Sequence, residues 1–290
     1  MSAPKRQNYL NNRDILKEIH ASKMSFCWLL SEQYYQFDII VDGLSKITPS
    51  TIAQAQENQA KRMQQEQYAE AMVTADPKDY RNKPKQKDFA VDPWSIPVEN
   101  LTFRVMTYDH IPEDPGRKRN PKTVADEHEK LNFPPFKHFA YIDGELTEVA
   151  RSQWKGDLET GEFSTTHGKL TNKLGHMFLK LVERYSHRSN WRGYTYVDEM
   201  RGTALVQLSY VGLKFDESKS DNPFAYYTAT VNNSFTKVLN LEKRNQTIRD
   251  DILIEQGHMP SYTRQLAHET EMREMREAVE NTHNDGLNDL

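Results

Sequence analysis

Three apolar stripes at helical spacing, all between residues 170 and 239, constrain this chain more than any other feature. In the first, Leu170, Leu174, Met177, Phe178, Leu181, Val182 and Tyr185 follow one another at steps of 4, 3, 1, 3, 1 and 3. The second runs through Val197, Met200, Ala204, Leu205, Leu208 and Val211, and the third through Phe224, Tyr227, Val231, Phe235, Val238 and Leu239. Side chains three and four apart share a helix face, so each stripe predicts an amphipathic helix with one side to bury. Gly193 separates the first two stripes. Ser220-Asp221-Asn222-Pro223 opens the third, with Asn222 as the N-cap and Pro223 at the first helical position.

The rest of the chain is less regular. Asn11 and Asn12 can cap a helix with Asp14 in its first turn and Ile15, Leu16 and Ile19 on its apolar side. Ile39-Ile40-Val41 reads as strand or buried helix, because a short apolar run has no diagnostic period. Residues 50–75 are rich in Ala, Gln and Glu with almost no apolar face, which predicts a helix that is solvated or bound by a partner. Pro77, Pro84, Pro93 and Pro97 make 76–97 a linker or a strap on the surface. Leu101, Phe103, Val105 and Thr107 alternate with expected exposed positions, as a strand does, and Asp143-Gly144 between two apolar runs is a hairpin signal. A basic cluster, Arg117, Lys118, Arg119 and Lys122, lies in the loop between them. The expected architecture is mainly α. It has an N-terminal segment (1–40), a partly extended α+β insertion (41–163), a helical domain (164–250) and a C-terminal helix with an acidic tail (251–290).

Composition removes several classes of function. Hydrophobic residues make up 37% of the 290 residues, below the usual ~45–50%, so the expected core is modest and part of the chain is expected to be extended or ordered only by a partner. No apolar run approaches the ~18 residues of a membrane span. The polar start, Met1 to Arg6, is not followed by the apolar run of a secretion signal. The lone Cys27 excludes an internal disulfide framework and any two-thiolate zinc site, and a reducing cytoplasm suits it. A net charge of −4 argues against coating nucleic acid by bulk charge. The pairs His176 with His187 and His128 with His138 lack metal-ligand spacing on one helix face, and there is no HExxH or Gly-rich phosphate loop. Asp198 and Glu199 are adjacent, so on a helix they point apart and do not form a catalytic carboxylate pair. No metal, cofactor or enzymatic centre is expected. Trp191-Arg192-Gly193-Tyr194 reads either as a stacked Arg–aromatic corner or as a packed turn between helices.

The most unusual block is Asp221 to Arg244. Phe224, Tyr226 and Tyr227 precede Asn232, Asn233, Thr236 and Lys237, and Lys243 and Arg244 follow. Amides on a helix can read base edges, cations hold phosphates and aromatics stack on unpaired bases. These nine residues are the expected DNA-binding set. The core spacing of Phe224, Tyr227 and Phe235 allows them to be packing residues instead.

From Glu199-Met200 through Lys214-Phe215-Asp216 to Asn222-Pro223-Phe224-Ala225-Tyr226-Tyr227-Thr228, and on to Asn233, Phe235 and Lys243-Arg244, the chain resembles region 2 of bacterial sigma factors. It is most similar to the late-transcription sigma factors of myovirus-type bacteriophages, in the extended form of phages of marine cyanobacteria. Asn8-Tyr9-Leu10-Asn11-Asn12 with Ile15-Leu16 resembles the N-terminal segment of that family. The resemblance covers about residues 7–20 and 190–250 and assigns no role to the insertion. It implies a sigma region-2-like helical bundle. It also implies a non-catalytic subunit that directs host RNA polymerase to phage late promoters by recognising and melting an A/T-rich element, in the cytoplasm of the bacterial host. Glu199, Gly202 and Thr203 fall where the family docks on the polymerase clamp helices, although Gly202 and Thr203 lack the acid or amide of the family. Tyr226 and Asn233 fall at reading positions, and the paired tryptophans of primary sigma factors correspond to Ala229 and Thr230. Leu287 and Leu290 form a degenerate version of the family's terminal peptide, which engages the phage sliding clamp; a late co-activator is a further implied partner. Two other classes stand beside this one: a DNA-processing nuclease with an unrecognised metal site, and a virion structural protein.

Overall fold

The computed structural model describes residues 10–74 and 84–288, with side chains through residue 278. The chain is mostly helical, with a small mixed sheet. Its elements are α1 (Asn12–Met24), β1 (Trp28–Leu29), β2 (Ile39–Val41), α2 (Pro49–Thr74), β3 (Thr102–Met106), α3 (Val124–Glu127), β4 (Phe136–Ile142), β5 (Glu145–Arg151), β6 (Trp154–Lys155), β7 (Glu162–Phe163), α4 (Asn172–Ser186), α5 (Val197–Val211), α6 (Pro223–Glu255) and α7 (Tyr262–Asn288).

The three stripes become α4, α5 and the first half of α6, and they bury one another. Leu174, Met177, Phe178, Leu181, Val182 and Tyr185 of α4 meet Met200, Ala204 and Leu208 of α5 and Tyr227, Val231, Phe235 and Val238 of α6. Ile15 and Ile19 of α1 complete this core. Removing each such side chain from water stabilises the fold by roughly 1.5–3 kcal/mol. The ends are capped as their residue types dictate. Asn11 Oδ1 accepts from Asp14 N–H at 2.7 Å, Thr171 Oγ1 from Leu174 N–H at 3.2 Å, and Asn222 Oδ1 from Ala225 N–H at 3.1 Å. Asn12, expected to cap its own helix, instead accepts from Phe224 N–H at 3.1 Å and so ties the start of α1 to the start of α6. Trp191 is buried against Phe235 and Tyr185, while Arg192 is exposed, so the corner after α4 is a packed turn.

The five-stranded sheet has the order β1-β5-β4-β3-β2, with β2 parallel to β3 and the other pairs antiparallel. The Asp143-Gly144 turn joins β4 to β5 with φ of 53° and 84°, the positive pair that a tight two-residue hairpin needs. Two expectations are corrected here. The sheet takes β1 and β2 from residues 28–41, so the expected boundary at 40 falls inside β2, and 1–40 is not a segment of the helical unit alone. The β-branched run Ile39-Ile40-Val41 settles as strand because β3 offers it a parallel partner. The 101–107 strand also does not alternate between core and water. Thr102, Phe103, Arg104 and Val105 are all buried, because the strand is internal and both faces of the sheet are covered.

One face is covered by α2. Ala55 and Ala60 pack with Ile96, Leu101 and Phe103, and Gln56 and Gln59 donate to the carbonyls of Ile96 and Asn100 at 2.8 and 3.0 Å. The polar helix expected to be solvated or held by a partner therefore lies on its own chain, its small residues allowing close approach and its amides satisfying the strap. The other face meets the helical unit through Phe136 and through Arg104, which bonds His20 and Glu217.

Candidate nucleic-acid interface

The surface of α6 divides sharply around the helix. Pro223, Tyr227, Val231, Ser234, Phe235 and Val238 face the core. On the opposite side, Ala229, Asn233, Lys237, Asn240 and Arg244 are exposed at steps of 4, 4, 3 and 4, so they form one solvent stripe. Lys243 is also exposed, to one side of it. Asn240 belongs to this stripe although it was not among the expected site residues.

The expected DNA-binding residues separate into groups. Asn233, Lys237, Lys243 and Arg244 are free in solvent. Tyr226 is half-buried. Its ring packs edge-on against Phe215 at 5.6 Å and Tyr227 at 5.5 Å, with part of it left exposed at the start of the stripe. Burial raises its phenol above the ordinary range. Asn232 is exposed, but its Oδ1 accepts from the Tyr185 hydroxyl at 2.6 Å, and Thr236 is half-buried. Tyr227 is a correction. Its side chain is 1% exposed, it packs edge-on against Phe178 at 4.9 Å, and its hydroxyl donates to Gly212 C=O at 2.5 Å. It is a core residue and cannot touch DNA, because neighbouring tyrosines on a helix point about 100° apart.

Phe224, also half-buried, lines a cleft of about 260 Å³ with Leu10, Leu181, Arg184, Tyr185 and Arg188. Arg184, in the last turn of α4, and Arg188, just past its end, are both exposed, and the Arg188 guanidinium lies 4.2 Å from the Tyr185 ring centre. Neither forms an ion pair with an acid among the described residues. The cleft offers an apolar floor, two aromatic rings and two cations, a set suited to an unpaired base and its phosphate. The sequence signal was present, as two arginines four apart flanking an aromatic, but it was hidden because exposed arginines at the end of an amphipathic helix ordinarily mean only solvent.

Along α5 a second stripe faces outward. Glu199 and Gly202 are exposed, Thr203 is half-buried, and Val206 and Tyr210 continue the line at 56% and 71% exposure. An added Cβ at Gly202 would meet nothing within 4 Å. Adjacent Asp198 bonds Arg201 at 2.9 Å, leaving Glu199 as the free acid of the first turn.

Leu290 lies outside the described residues, and Leu287 falls on the backbone of the last turn of α7. The acidic tail expected after the C-terminal helix continues that helix through Asn288. Among the described residues, no group of three or more His, Cys, Asp or Glu side chains is placed to hold a metal ion, and no helix is long and apolar enough to cross a membrane. Comparison of the chain with models of known protein families, with curated proteins and with solved structures gives no match.

Proposed function

We propose that this chain is a sigma-type specificity subunit, which binds host RNA polymerase and reads and opens promoter DNA without catalysing a reaction itself. The observation that carries this reading is the solvent stripe of α6. One uninterrupted helix presents a half-exposed aromatic, two amides and two cations in line, while its other side is anchored in a core. In this reading Asn233 and Asn240 meet base edges, Lys237, Lys243 and Arg244 hold phosphates, and Tyr226 stacks at the point where the strands part. The cleft of Phe224, Arg184 and Arg188 receives a base from the opened strand, stacking being worth ~1–3 kcal/mol per base. The α5 stripe of Glu199, Gly202, Thr203, Val206 and Tyr210 docks on the polymerase. Its acid speeds and orients association, and its exposed Val and Tyr supply the apolar contact. The proposed partners are host core polymerase and promoter DNA, with a sliding clamp or late co-activator reached through the C-terminal helix.

The test mixes the chain with bacterial core RNA polymerase and A/T-rich promoter templates, either fully duplex or carrying an unpaired bubble. Template-dependent initiation and retention of core polymerase are expected. Tyr226→Ala should reduce initiation on the duplex and spare it on the bubble. Absence of core binding sinks the proposal, and magnesium-dependent DNA degradation without polymerase would establish the nuclease reading in its place.

A further inference from the structure

We infer that Arg104, from the inserted sheet, is a positioning residue for the loop that leads into α6, so that the insertion sets the geometry of Tyr226. This inference rests on the reading of α6 as the nucleic-acid face. The juxtaposition behind it is a guanidinium buried at the junction of three parts of the chain and bonded to each. Arg104 is fully buried and comes from β3. Its Nε donates to His138 Nε2 of β4 at 3.0 Å, its Nη2 to His20 Nδ1 of α1 at 2.9 Å, and its Nη1 to Glu217 Oε2 at 2.6 Å. Phe37 and Phe136 cover the two sides of the guanidinium, with both ring centres 3.8 Å from Cζ.

Each partner is itself fixed. His138 Nδ1–H donates to Tyr34 C=O at 3.0 Å and His20 Nε2–H to Tyr35 C=O at 2.8 Å, so both imidazoles present a lone pair to the arginine and are neutral. Glu217 is bracketed by a second buried cation. Lys23 Nζ of α1 lies 3.3 Å from its carboxylate and also donates to Phe215 C=O at 2.8 Å. Burial alone pushes the Glu217 carboxyl up, but Lys23 and Arg104 outweigh it and the net shift is downward.

The loop 215–222 thus has two anchors, Phe215 C=O and the Glu217 carboxylate, both held from outside it. What it positions is the reading helix. The Phe215 ring packs edge-on against Tyr226, and Asn222 at the end of the loop caps α6. An apolar residue of similar volume at position 104 would satisfy packing. A planar fork with three differently oriented bonds does more, because it fixes where Glu217 sits relative to the sheet and α1. Removing one partner of a buried ion pair is strongly destabilising when it strands the other charge, but Glu217 keeps Lys23 as its partner when Arg104 is replaced. Positioning can therefore be separated from stability.

The experiment compares the wild type with Arg104→Met, Glu217→Met and the double variant in the full chain. Thermal midpoints, amide exchange across 215–222, and initiation by core polymerase on duplex and bubble templates are measured. The expected result is that Arg104→Met, which leaves Glu217 paired with Lys23, keeps the wild-type midpoint more closely than Glu217→Met or the double variant, both of which strand the buried Lys23 charge. In Arg104→Met the amides at 216–222 should exchange at least tenfold faster, protection should be retained in α4 and in 227–238, and initiation on the duplex template should fall at least tenfold while the bubble template spares it. If Arg104→Met does not fold, Arg104→Lys carries the test, because it keeps the charge but cannot reach three partners in one plane. Unchanged exchange at 216–222 in a folded variant overturns the inference, as does faster exchange with undiminished initiation on the duplex template. If the wild type itself initiates on neither template, the functional reading falls, and loop exchange alone decides the positioning role.

Discussion

Between Pro223 and Val238, α6 buries Tyr227, Val231, Ser234, Phe235 and Val238, whereas between Leu239 and Glu255 it buries only Asp250 and leaves Leu241, Ile248, Ile252 and Ile254 about half exposed. The helix is continuous, yet its halves persist for different reasons. The inner half is held by α4 and α5 packed around it. The outer half has only its own hydrogen bonds and the joint with α7, where Ser261 N–H and O–H donate to the two oxygens of Asp250 at 2.8 and 2.7 Å. A left-handed Gly257 (φ 76°) closes α6, with His258 N–H bonding Leu253 C=O and Gly257 N–H bonding Ile254 C=O. Beyond it, α7 buries no side chain among the described residues. Most of the stability of a helix in a protein comes from packing one face, which these segments lack. The inner half therefore belongs to the cooperative body, and the outer half with α7 is a local unit of low stability.

Acid should separate the two regions most strongly. Burial holds His20 at about 3 and His110 at about 4, and it holds His138 well below its ordinary value. These three groups are neutral when folded and take up protons below about 6.5 when unfolded. The unfolded chain then binds more protons, so the body loses stability as pH falls from 6.5 to about 4, by up to about 1.4 kcal/mol per pH unit per histidine. In the outer unit the Asp250 carboxyl is lowered by the two bonds from Ser261, so that joint keeps its stability above about 3.8 and loses it only as pH falls further. Denaturant melts from pH 7 to 4 should show the body weakening while arm helicity holds. A flat profile for the body would mean that the histidine junction opens to water.

Single substitutions should reproduce the contrast at a smaller scale. Phe235, fully buried against Tyr185 and Trp191, should cost about 3–5 kcal/mol on truncation to Ala. Ile252→Ala on the same helix should stay within about 0.5 kcal/mol. Comparable losses at the two sites would show that the outer half is packed in solution, by a partner or by a second copy.

How much of this was legible beforehand differs between the same regions. The inner half announced itself, because Tyr227, Val231, Phe235 and Val238 keep the helical period and Asn222-Pro223 marks the start. The period had already placed Tyr227 in the core, and assigning it to DNA let residue chemistry override geometry. The Asp143-Gly144 hairpin was readable because its partners are adjacent in sequence. Arg104 was not readable. Its partners are His20, His138 and Glu217, up to 113 residues away, and a charged residue in a strand ordinarily means solvent. The Phe224 cleft was equally obscure, since it exists only once α4 and α6 pack.

The joint itself should respond more weakly. Ser261→Ala removes the bond to Asp250 Oδ2 and the cap at the start of α7, a loss of about 1 kcal/mol confined to the outer unit. Exchange of amides in 262–275 should accelerate several-fold with the melting midpoint of the body unchanged. A fall in that midpoint would show that the arm is coupled to the body, contrary to the division drawn along α6.

The smallest expected effect lies at Gly202, on the outer face of α5, and it has the opposite sign. Gly in a helix interior is disfavoured relative to Ala by roughly 0.5–1 kcal/mol, because it loses more backbone freedom on folding. The position opens to solvent, with room for a Cβ. Gly202→Ala should therefore raise body stability by up to about 1 kcal/mol, visible as a higher denaturant midpoint with an unchanged slope. The same position tests whether the bare face of α5 is kept for a partner. If core polymerase packs closely against Gly202, Gly202→Gln should fold as well as the wild type and bind core polymerase more weakly. Stabilisation with full polymerase binding by both variants would move the docking contact elsewhere on α5, toward Val206 and Tyr210. Destabilisation by Ala would mean that this face of α5 is already packed in solution, and the contrast between buried and bare helix faces would fail there.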